Sequence, residues 1–404
     1  MRKNYVGLDI LRGIGIFALL VMHTAFYQFD GLFELDLTNP PPIVTFIGLI
    51  LMFAGVFAMI SGLVHTHQHH RKMYEQHIPF NTALRHNVIS GLLILVVAYA
   101  YFIFTGPGLA DMQTKTMSNS ILVEWFVSGR LAPTTIERLL YVDSLVMIGM
   151  NILLLGLFFR INKKLYNKIH PNFYLISALV IFVISFIRIP LYPVYLDAVE
   201  NGRWSITLLL NWFVNKNNPI FPYLSFALFG SWIACLLATF EFKKVVSRVF
   251  PMGIILFLGG VILYIMLPDT MLERSIDPVW FALMMAQNGL FMLLILLVLK
   301  VYDFGKNKSL NVISRFFLRF GIVSLTVFFI ESVISAAIAS SMRWLISDLF
   351  FDIPKALLYG LSLALFWGVF LKFWQKADYR YGLEYWYTKI LKGSMKADKL
   401  KGDM

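Results

Sequence analysis

Three ionisable residues lie within one apolar stretch near the start of the chain: Asp9, Arg12 and His23. If that stretch is a helix, Arg12 and His23 point in directions about 20° apart, because their separation closes almost three full turns. They are then about 16 Å apart along the helix axis. An imidazole on such a polar stripe could serve as a general base. The alternative is an Asp9–Arg12 ion pair near one end of the helix, with His23 among interfacial aromatic side chains.

Two carboxyl groups further along the chain are expected in the same bundle of helices. Asp143 belongs to the fourth long apolar stretch, at about the depth of His23, and Glu331 belongs to the ninth. A carboxylate beside an imidazole fixes its tautomer and raises its basicity, so either residue could orient His23. Two structural alternatives remain. Asp143 could form a salt bridge with Arg138, and Glu331 could be a neutral, hydrogen-bonded packing residue.

A group of basic residues follows the second apolar stretch. It consists of His65, His67, His69, His70, Arg71, Lys72 and, after a short interval, Arg85. Such a basic helix end attracts anionic lipid headgroups or the phosphates of a coenzyme. His65 and His69 lie one helical turn apart and could share a metal ion if the helix continues past the membrane. Because Arg71 and Lys72 are adjacent, we predict an anion-binding surface here and no metal.

The composition is typical of a membrane protein. Hydrophobic residues make up 58% of the 404 residues and charged residues 14%, and the mean hydropathy is +0.71. Soluble domains have about 25% charged residues. Apolar stretches long enough to cross a hydrocarbon layer of about 30 Å recur along the chain. We therefore predict an all-α integral membrane protein with about ten transmembrane helices. The predicted spans are 6–27, 43–65, 84–104, 139–159, 173–191, 219–240, 250–268, 278–301, 320–342 and 356–374.

The distribution of lysine and arginine predicts the topology. If the N-terminus is cytoplasmic, 25 of the 35 lysines and arginines fall in cytoplasmic segments and eight in outer segments. Cytoplasmic loops carry such an excess in membrane proteins, so both termini are predicted in the cytoplasm and the protein in the cell membrane. Residues 1–375 then form one transmembrane domain, and residues 376–404 form a basic cytoplasmic tail against anionic lipid. Because the basic residues do not form one patch, no nucleic acid partner is expected.

The segments between the spans indicate where a ligand could bind. The outer segments 105–138 and 192–218 carry tryptophans among apolar residues and are predicted to be interfacial helices that cap an outer cavity. The cytoplasmic loops are short and contain no Gly-rich phosphate loop, so a coenzyme would have to bind to the membrane bundle itself. The single cysteine, Cys235, excludes an intrachain disulfide.

Several short motifs, in the right order along the chain, resemble a known group of enzymes. The most specific runs from Leu8 to Ile16 (LDILRGIGI) and is followed by Met22 and His23; others are 57–62 (FAMISG), 221–223 (FPY), 321–326 (GIVSLT) with Glu331, and 381–386 (YGLEYW). Together they resemble the membrane-bound acyltransferase superfamily. That superfamily includes bacterial and archaeal relatives of heparan-alpha-glucosaminide N-acetyltransferase and the acyltransferase-3 proteins that modify surface polysaccharides.

The resemblance implies a function and a set of site residues. It implies transfer of an acyl group, typically acetyl, from cytoplasmic acyl-coenzyme A to a sugar or other hydroxyl or amine acceptor at or beyond the outer face. Arg12 and His23 match the Arg and His of the acyltransferase-3 motif. In the heparan-type branch the position of His23 is often Asn, and the catalytic His comes later, where this sequence has Glu34. His23 would act as a general base or as a covalent acyl relay.

The remaining roles follow from this hypothesis. Asp143 or Glu331 would orient His23, and the coenzyme phosphates would bind near Arg12 and the basic group of His65, Arg71, Lys72 and Arg85. The expected partners are membrane lipid, acyl-coenzyme A and a glycan or other small acceptor, with a homodimer possible. The alternative is a proton-coupled transporter or lipid flippase that uses His23, Asp143 and Glu331 as a proton relay.

Overall fold

A computed structural model describes residues 5–35, 41–51, 53–112, 114–267, 276–305 and 309–402. These residues are mostly helical, with one two-stranded antiparallel hairpin. The first helices are α1 (Val6–Gln28), α2 (Pro42–Leu51), α3 (Ala54–Tyr74), α4 (Phe80–Ala100), α5 (Ile121–Ser128), α6 (Ile136–Leu140), α7 (Ser144–Tyr166), α8 (Pro171–Ile184) and α9 (Arg188–Glu200). The later helices are α10 (Trp204–Val214), α11 (Ile220–Thr239), α12 (Phe242–Met266), α13 (Pro278–Val298), α14 (Val312–Ile322), α15 (Ser324–Leu345), α16 (Ile353–Trp374) and α17 (Leu383–Gly402). The hairpin pairs β1 (Leu109–Asp111) with β2 (Thr116–Ser118).

Among the described residues, nine helical segments are long and apolar enough to cross a membrane. The chain is therefore a multi-pass, mainly α-helical membrane protein, as the composition predicts. Each of the nine corresponds to one predicted span: Val6–Gln28, Phe80–Thr105, Ile136–Tyr166, Pro171–Glu200, Ile220–Thr239, Phe242–Met266, Pro278–Asp303, Ser324–Leu345 and Ile353–Ala377.

The prediction of a single helix over 43–65 is wrong. The chain here forms two helices, the short α2 and the longer α3, which begins at Ala54 and extends to Tyr74. Phe57 lies against Gly15 in the middle of α1, whereas His67 packs against Tyr5 at its start, with ring centroids 4.9 Å apart. The break between α2 and α3 is therefore level with the middle of α1. Hydropathy averaged over a window misses such a break, because both halves are apolar.

The helix α1 lies inside the bundle and contacts α14, α15 and α16. Its closest neighbour is α14, because Gly13 faces the carbonyl of Phe317, and Gly321 faces the carbonyl of Asp9. A Cβ atom at either glycine would overlap those oxygens. Small residues at such positions allow membrane helices to approach at backbone distance. A second close pair, α3 and α11, meets in the same way through Gly62 and Gly230.

We expect Gly321→Leu to destabilise the protein by separating α1 from α14. Overpacking a close contact typically costs about 1–3 kcal/mol. Thermal unfolding in nanodiscs measures the effect, with Gly393→Ala as the control, because a Cβ atom there meets nothing within 4 Å. Equal melting temperatures for parent and Gly321→Leu would contradict the close packing.

The start of α1 is held by another part of the chain. Asp303, in the π-helical turn that follows α13, accepts hydrogen bonds from the backbone N–H groups of Val6 (3.0 Å) and Gly7 (2.9 Å). These N–H groups have no partner within their own helix, so a carboxylate both satisfies them and complements the helix dipole.

The predicted basic tail contains the helix α17, which is tied to the bundle at its first turn. Glu384 accepts hydrogen bonds from the backbone N–H groups of Leu325 (2.6 Å) and Thr326 (3.2 Å) and from the Thr326 hydroxyl (2.5 Å). Tyr387 forms a further hydrogen bond with Ser90 on α4. The carboxylate therefore occupies the N-terminal end of α15. Tyr5 and Glu384 consequently lie at the same end of the bundle, where α1 begins.

The docking of α17 should depend on pH. Burial raises the pKa of Glu384, although hydrogen bonds from the Thr326 side chain and from three backbone N–H groups oppose the shift. A group whose pKa is raised by docking stabilises the docked form most at low pH, so docking weakens as the pH rises through the raised value. Hydrogen exchange of the α17 amides between pH about 4 and about 8 measures this. In Glu384→Gln, the protection of the α17 amides should not change with pH once the pH dependence of the intrinsic exchange rate is removed. The same pH dependence in both proteins would exclude Glu384 as its source.

The outer segments are only partly as predicted. Segment 192–218 is helical in α9 and α10, whereas segment 105–138 contains the β1–β2 hairpin before the short helices α5 and α6. The hairpin was not expected in an all-α protein. Its register pairs Leu109 with Ser118 and Asp111 with Thr116.

Candidate active site

His23 and Glu331 are in direct contact. His23 Nδ1 lies 3.2 Å from Glu331 Oε1, and the same oxygen accepts a hydrogen bond of 2.7 Å from Ser332 Oγ. Glu331 is 1% exposed and His23 is 17% exposed. If Nδ1 carries the proton and donates it to the carboxylate, Nε2 keeps its lone pair. The arrangement is that of an imidazole oriented and polarised by a buried carboxylate.

Packing of α1 against α15 fixes this pair. His23 lies in the last third of α1 and Glu331 in the second turn of α15, and the two helices are in contact. Aromatic rings surround the imidazole, with Tyr27 and Phe328 at centroid distances of 5.7 and 6.2 Å. Rotation of the imidazole is therefore restricted by its neighbours on both helices.

A cavity of about 780 Å³ runs along α1 and includes His23 in its wall. Volumes of about 300–1,000 Å³ are usual for sites that bind small molecules. Its polar lining residues are concentrated near His23: Tyr27, Tyr101, Glu137, Tyr141, Asp143, Ser144, Asn217 and Asn218. The walls contributed by α2, α3, α13 and the earlier turns of α1 are apolar. The cavity thus has a polar part at the imidazole with apolar walls on either side of it. Beyond the end of α1 these walls include Phe29, Leu32 and Ile353, and the stretch lined by the earlier turns of α1 with α3 and α13 is called the apolar part below.

Asp143 lines the polar part of the cavity but makes a different contact from the predicted ones. It is the N-cap of α7, where its Oδ1 accepts a hydrogen bond of 2.8 Å from Val146 N. Its Oδ2 is buried without a hydrogen-bond partner among the described residues. The hydrogen bond to His23 is made by Glu331. Asp143 therefore contributes to the wall of the cavity mainly through the start of α7.

The possible salt bridge between Asp143 and Arg138 is not formed. Arg138 is 1% exposed and donates instead to the carbonyl oxygens of Phe102 (3.0 Å), Pro107 (2.8 Å) and Ser118 (3.1 Å). It therefore holds the hairpin segment in place, and residues 107–110 of that segment line the cavity. The closeness of Asp143 to Arg138 in the sequence suggested an ion pair. In the structure, backbone carbonyl oxygens accept the hydrogen bonds of the Arg138 guanidinium instead.

A second buried arginine secures the other outer segment. Arg188 is fully buried, donates to the carbonyl oxygen of Asn215 (2.7 Å) and lies 4.5 Å above the ring of Trp280. Asn217 and Asn218, two and three positions further on, line the cavity. Two segments of the cavity wall are thus fixed by buried guanidinium groups.

Tyr101 is a site residue that the sequence analysis missed. It lies in the π-helical turn after α4, is 1% exposed, and packs against Phe328, with ring centroids 4.7 Å apart and the rings tilted by 34°. It lines the cavity and lies within electrostatic range of Glu331 and Asp143. Tyrosine is common in apolar membrane helices, so composition gave no signal for it, although π-helical turns often mark functional sites.

Arg12 lies away from the cavity wall, on the side of α1 that faces α14. It forms an ion pair of 3.2 Å with Asp9 and donates to the carbonyl oxygen of Gly321 (3.3 Å). The Asp9–Arg12 ion pair, which the sequence left as the alternative to a site residue, is therefore present. Leu11, its neighbour in the sequence, lines the end of the cavity that is closer to the start of α1. Arg12 and His23 both face the α14–α15 region, but the Gly13 and Gly321 contacts close the space between α1 and α14.

The other predicted anion-binding residues lie at the same end of the bundle as Arg12. His65 lies within electrostatic range of Lys72 and Arg12. Arg71 is paired with Glu75 at 3.5 Å, and Arg85 is exposed on α4. None of these five residues lines the cavity.

The neighbouring histidines belong to the packed interior. His69 stacks on Phe159 with a centroid distance of 4.3 Å, and His70 is buried beside it. Their position in the sequence suggested that they extend the basic surface. Because they are buried, they do not. Within the described ranges, no three His, Cys, Asp or Glu side chains come together as metal ligands would.

Comparison with models of protein families finds no match, and comparison with curated protein sequences finds none either. The fold and the cavity define a multi-pass membrane protein with a buried imidazole–carboxylate pair.

Proposed function

We propose that this protein transfers an acyl group from acyl-coenzyme A to a hydroxyl or amine acceptor, with His23 as the general base. The observation that carries the proposal is the contact between His23 Nδ1 and Glu331 Oε1 in the wall of a cavity of ligand size. The resemblance of residues 8–23 to membrane-bound acyltransferases supplies the reaction class. In this proposal the end of the bundle at which α1 begins faces the cytoplasm, and the protein resides in the cell membrane.

The reaction proceeds by direct attack on the thioester. His23 Nε2 removes the proton of the acceptor hydroxyl or amine while the acceptor oxygen or nitrogen attacks the acyl carbonyl. The tetrahedral intermediate then loses the coenzyme thiolate, which takes up the proton from the imidazolium. An ester or amide and free coenzyme A result. Glu331 stabilises the imidazolium that forms in the first step.

Other residues have supporting roles in this proposal. The phosphates of the coenzyme bind near Arg12, His65 and Lys72, where positive charges are grouped at one end of the bundle. Asp143, in the wall of the polar part of the cavity, holds the start of α7 beside the acceptor through its hydrogen bond with Val146 N. Arg71 and Arg85 contribute to the positive potential around the coenzyme.

The test is thioester cleavage by the purified protein in nanodiscs. We expect slow release of free coenzyme A from acetyl-coenzyme A, with water as the acceptor, and faster release when an acceptor is added. A folded parent protein that neither binds nor cleaves acetyl-coenzyme A would overturn the proposal.

A proton-coupled transporter is the second candidate, because a histidine–carboxylate pair inside a membrane bundle also suits a proton relay. Substrate uptake into proteoliposomes that depends on a proton gradient and needs no coenzyme would favour the transporter. Cleavage of the thioester favours the enzyme.

A further inference from the structure

We propose that the acceptor is a lipid, whose hydrocarbon chain lies in the apolar part of the cavity and whose hydroxyl group lies at His23. This inference rests on the proposed acyl transfer for its reaction, but the binding of a chain can be tested separately. The argument comes from how polar and apolar residues are distributed along the cavity wall.

The apolar part of the cavity offers no side-chain hydrogen-bond partner among the described residues. Its walls are formed by residues such as Leu11, Ala18, Phe57 and Leu294. A hydroxylated sugar or an amide in this space would leave polar groups unpaired, at a cost of about 1–3 kcal/mol for each group. A hydrocarbon chain has no such cost and gains by burial.

The charge of the cavity lining supports the same conclusion. No lysine or arginine occurs among the described lining residues, and the ionisable groups, including His23, Glu137 and Asp143, are all in the polar part. The phosphates of a coenzyme would find no cation here. The lining therefore matches a molecule with one uncharged hydroxyl end and one hydrocarbon end.

The length of the cavity along α1 matches that of a lipid chain. Leu11 and His23 are separated by 12 residues of α1, which corresponds to about 18 Å. Half of a hydrocarbon core of about 30 Å is about 15 Å, which is the length of the chains in one leaflet. A lipid chain can therefore lie along α1 between His23 and Leu11.

Two side chains of the apolar part are accessible on neighbouring helices. Ile14 on α1 and Leu297 on α13 line the cavity, yet they are 41% and 54% exposed. Both are apolar and lie in segments that are long enough to cross the membrane. A chain in this part of the cavity therefore meets accessible apolar surface on both α1 and α13.

The experiment uses hexadecanol with a diazirine on its chain, photolysed with the parent protein in nanodiscs. We expect saturable labelling within residues 11–19 and 294–298, which unlabelled hexadecanol prevents and glucose does not. Ala18→Phe fills the apolar part and should reduce this labelling at least tenfold. Val183→Phe is the matched control, because Val183 is 67% exposed on α8 and outside the cavity, and it should retain the labelling.

Labelling that does not saturate, or that is equal on all exposed apolar helices, would overturn the proposal. So would competition by acetyl-coenzyme A alone, because the apolar part would then hold the arm of the donor. Competition between unlabelled hexadecanol and the photolabel is measured on the parent protein. The test therefore remains valid even if Ala18→Phe does not fold. Because labelling needs no catalysis, saturable binding without thioester cleavage would refute only the proposed acyl transfer. Formation of hexadecyl acetate from acetyl-coenzyme A would support both.

Discussion

Replacement of His23 by glutamine is expected to lower acyl transfer by about 10²–10⁴-fold, the usual contribution of a general base. Glutamine can still donate a hydrogen bond to Glu331, so the packing between α1 and α15 is largely retained, but it has no basic nitrogen. Release of coenzyme A from acetyl-coenzyme A, with and without an added acceptor, measures the loss. The effect should appear mainly in kcat, since the imidazole acts on the proton that moves in the transition state.

The matched control is His77→Gln, which makes the same chemical change outside the cavity. His77 is exposed between α3 and α4, with a backbone φ of 51°. Its replacement should leave the rate within a factor of about two, because surface substitutions rarely disturb a distant site. If folded His23→Gln retained the parent rate, the imidazole would not be the base, and the acyltransferase proposal would lose its central residue.

Much of the fold could be predicted from the sequence, because the membrane requires long apolar helices. Nine of the ten predicted spans correspond to helices that could cross a membrane among the described residues. The exception, 43–65, contains the break between α2 and α3. Window hydropathy reports how apolar a stretch is, and an interruption between two apolar halves leaves that average unchanged. The β1–β2 hairpin escaped prediction for a related reason, since strands of three residues carry no clear periodicity.

The site was predictable in its residue types but only partly in its contacts. The cost of ionisable groups in a bilayer indicated His23, Asp143 and Glu331 as candidates. Which carboxylate contacts the imidazole depends on how α1, α7 and α15 are arranged around the cavity, and one sequence does not determine that arrangement. The structure brings Glu331 to His23 and makes Asp143 the N-cap of α7. The contacts of Arg12 were likewise not predictable. Helical periodicity indicated the direction of its side chain, but not that α14 packs against that side of α1.

Glu331→Gln is expected to lower kcat at least tenfold with little change in the KM for acetyl-coenzyme A. The amide keeps the size of the side chain and can still accept a hydrogen bond from Nδ1, but it carries no negative charge to stabilise the imidazolium. Steady-state kinetics on the purified protein separates the two parameters. A residue that serves only for packing would instead lower the amount of folded protein and leave kcat unchanged.

Two further variants make the test of Glu331 specific to its charge. Glu331→Asp retains the carboxylate on a shorter side chain and should recover part of the activity lost in Glu331→Gln. Ser332→Ala removes the 2.7 Å hydrogen bond to the same carboxylate and should have a smaller effect, because the charge remains. The expected order of kcat is therefore parent, Ser332→Ala, Glu331→Asp and Glu331→Gln. Equal values for the aspartate and glutamine variants would mean that the charge has no catalytic role, and that position 331 requires only a side chain of the right size.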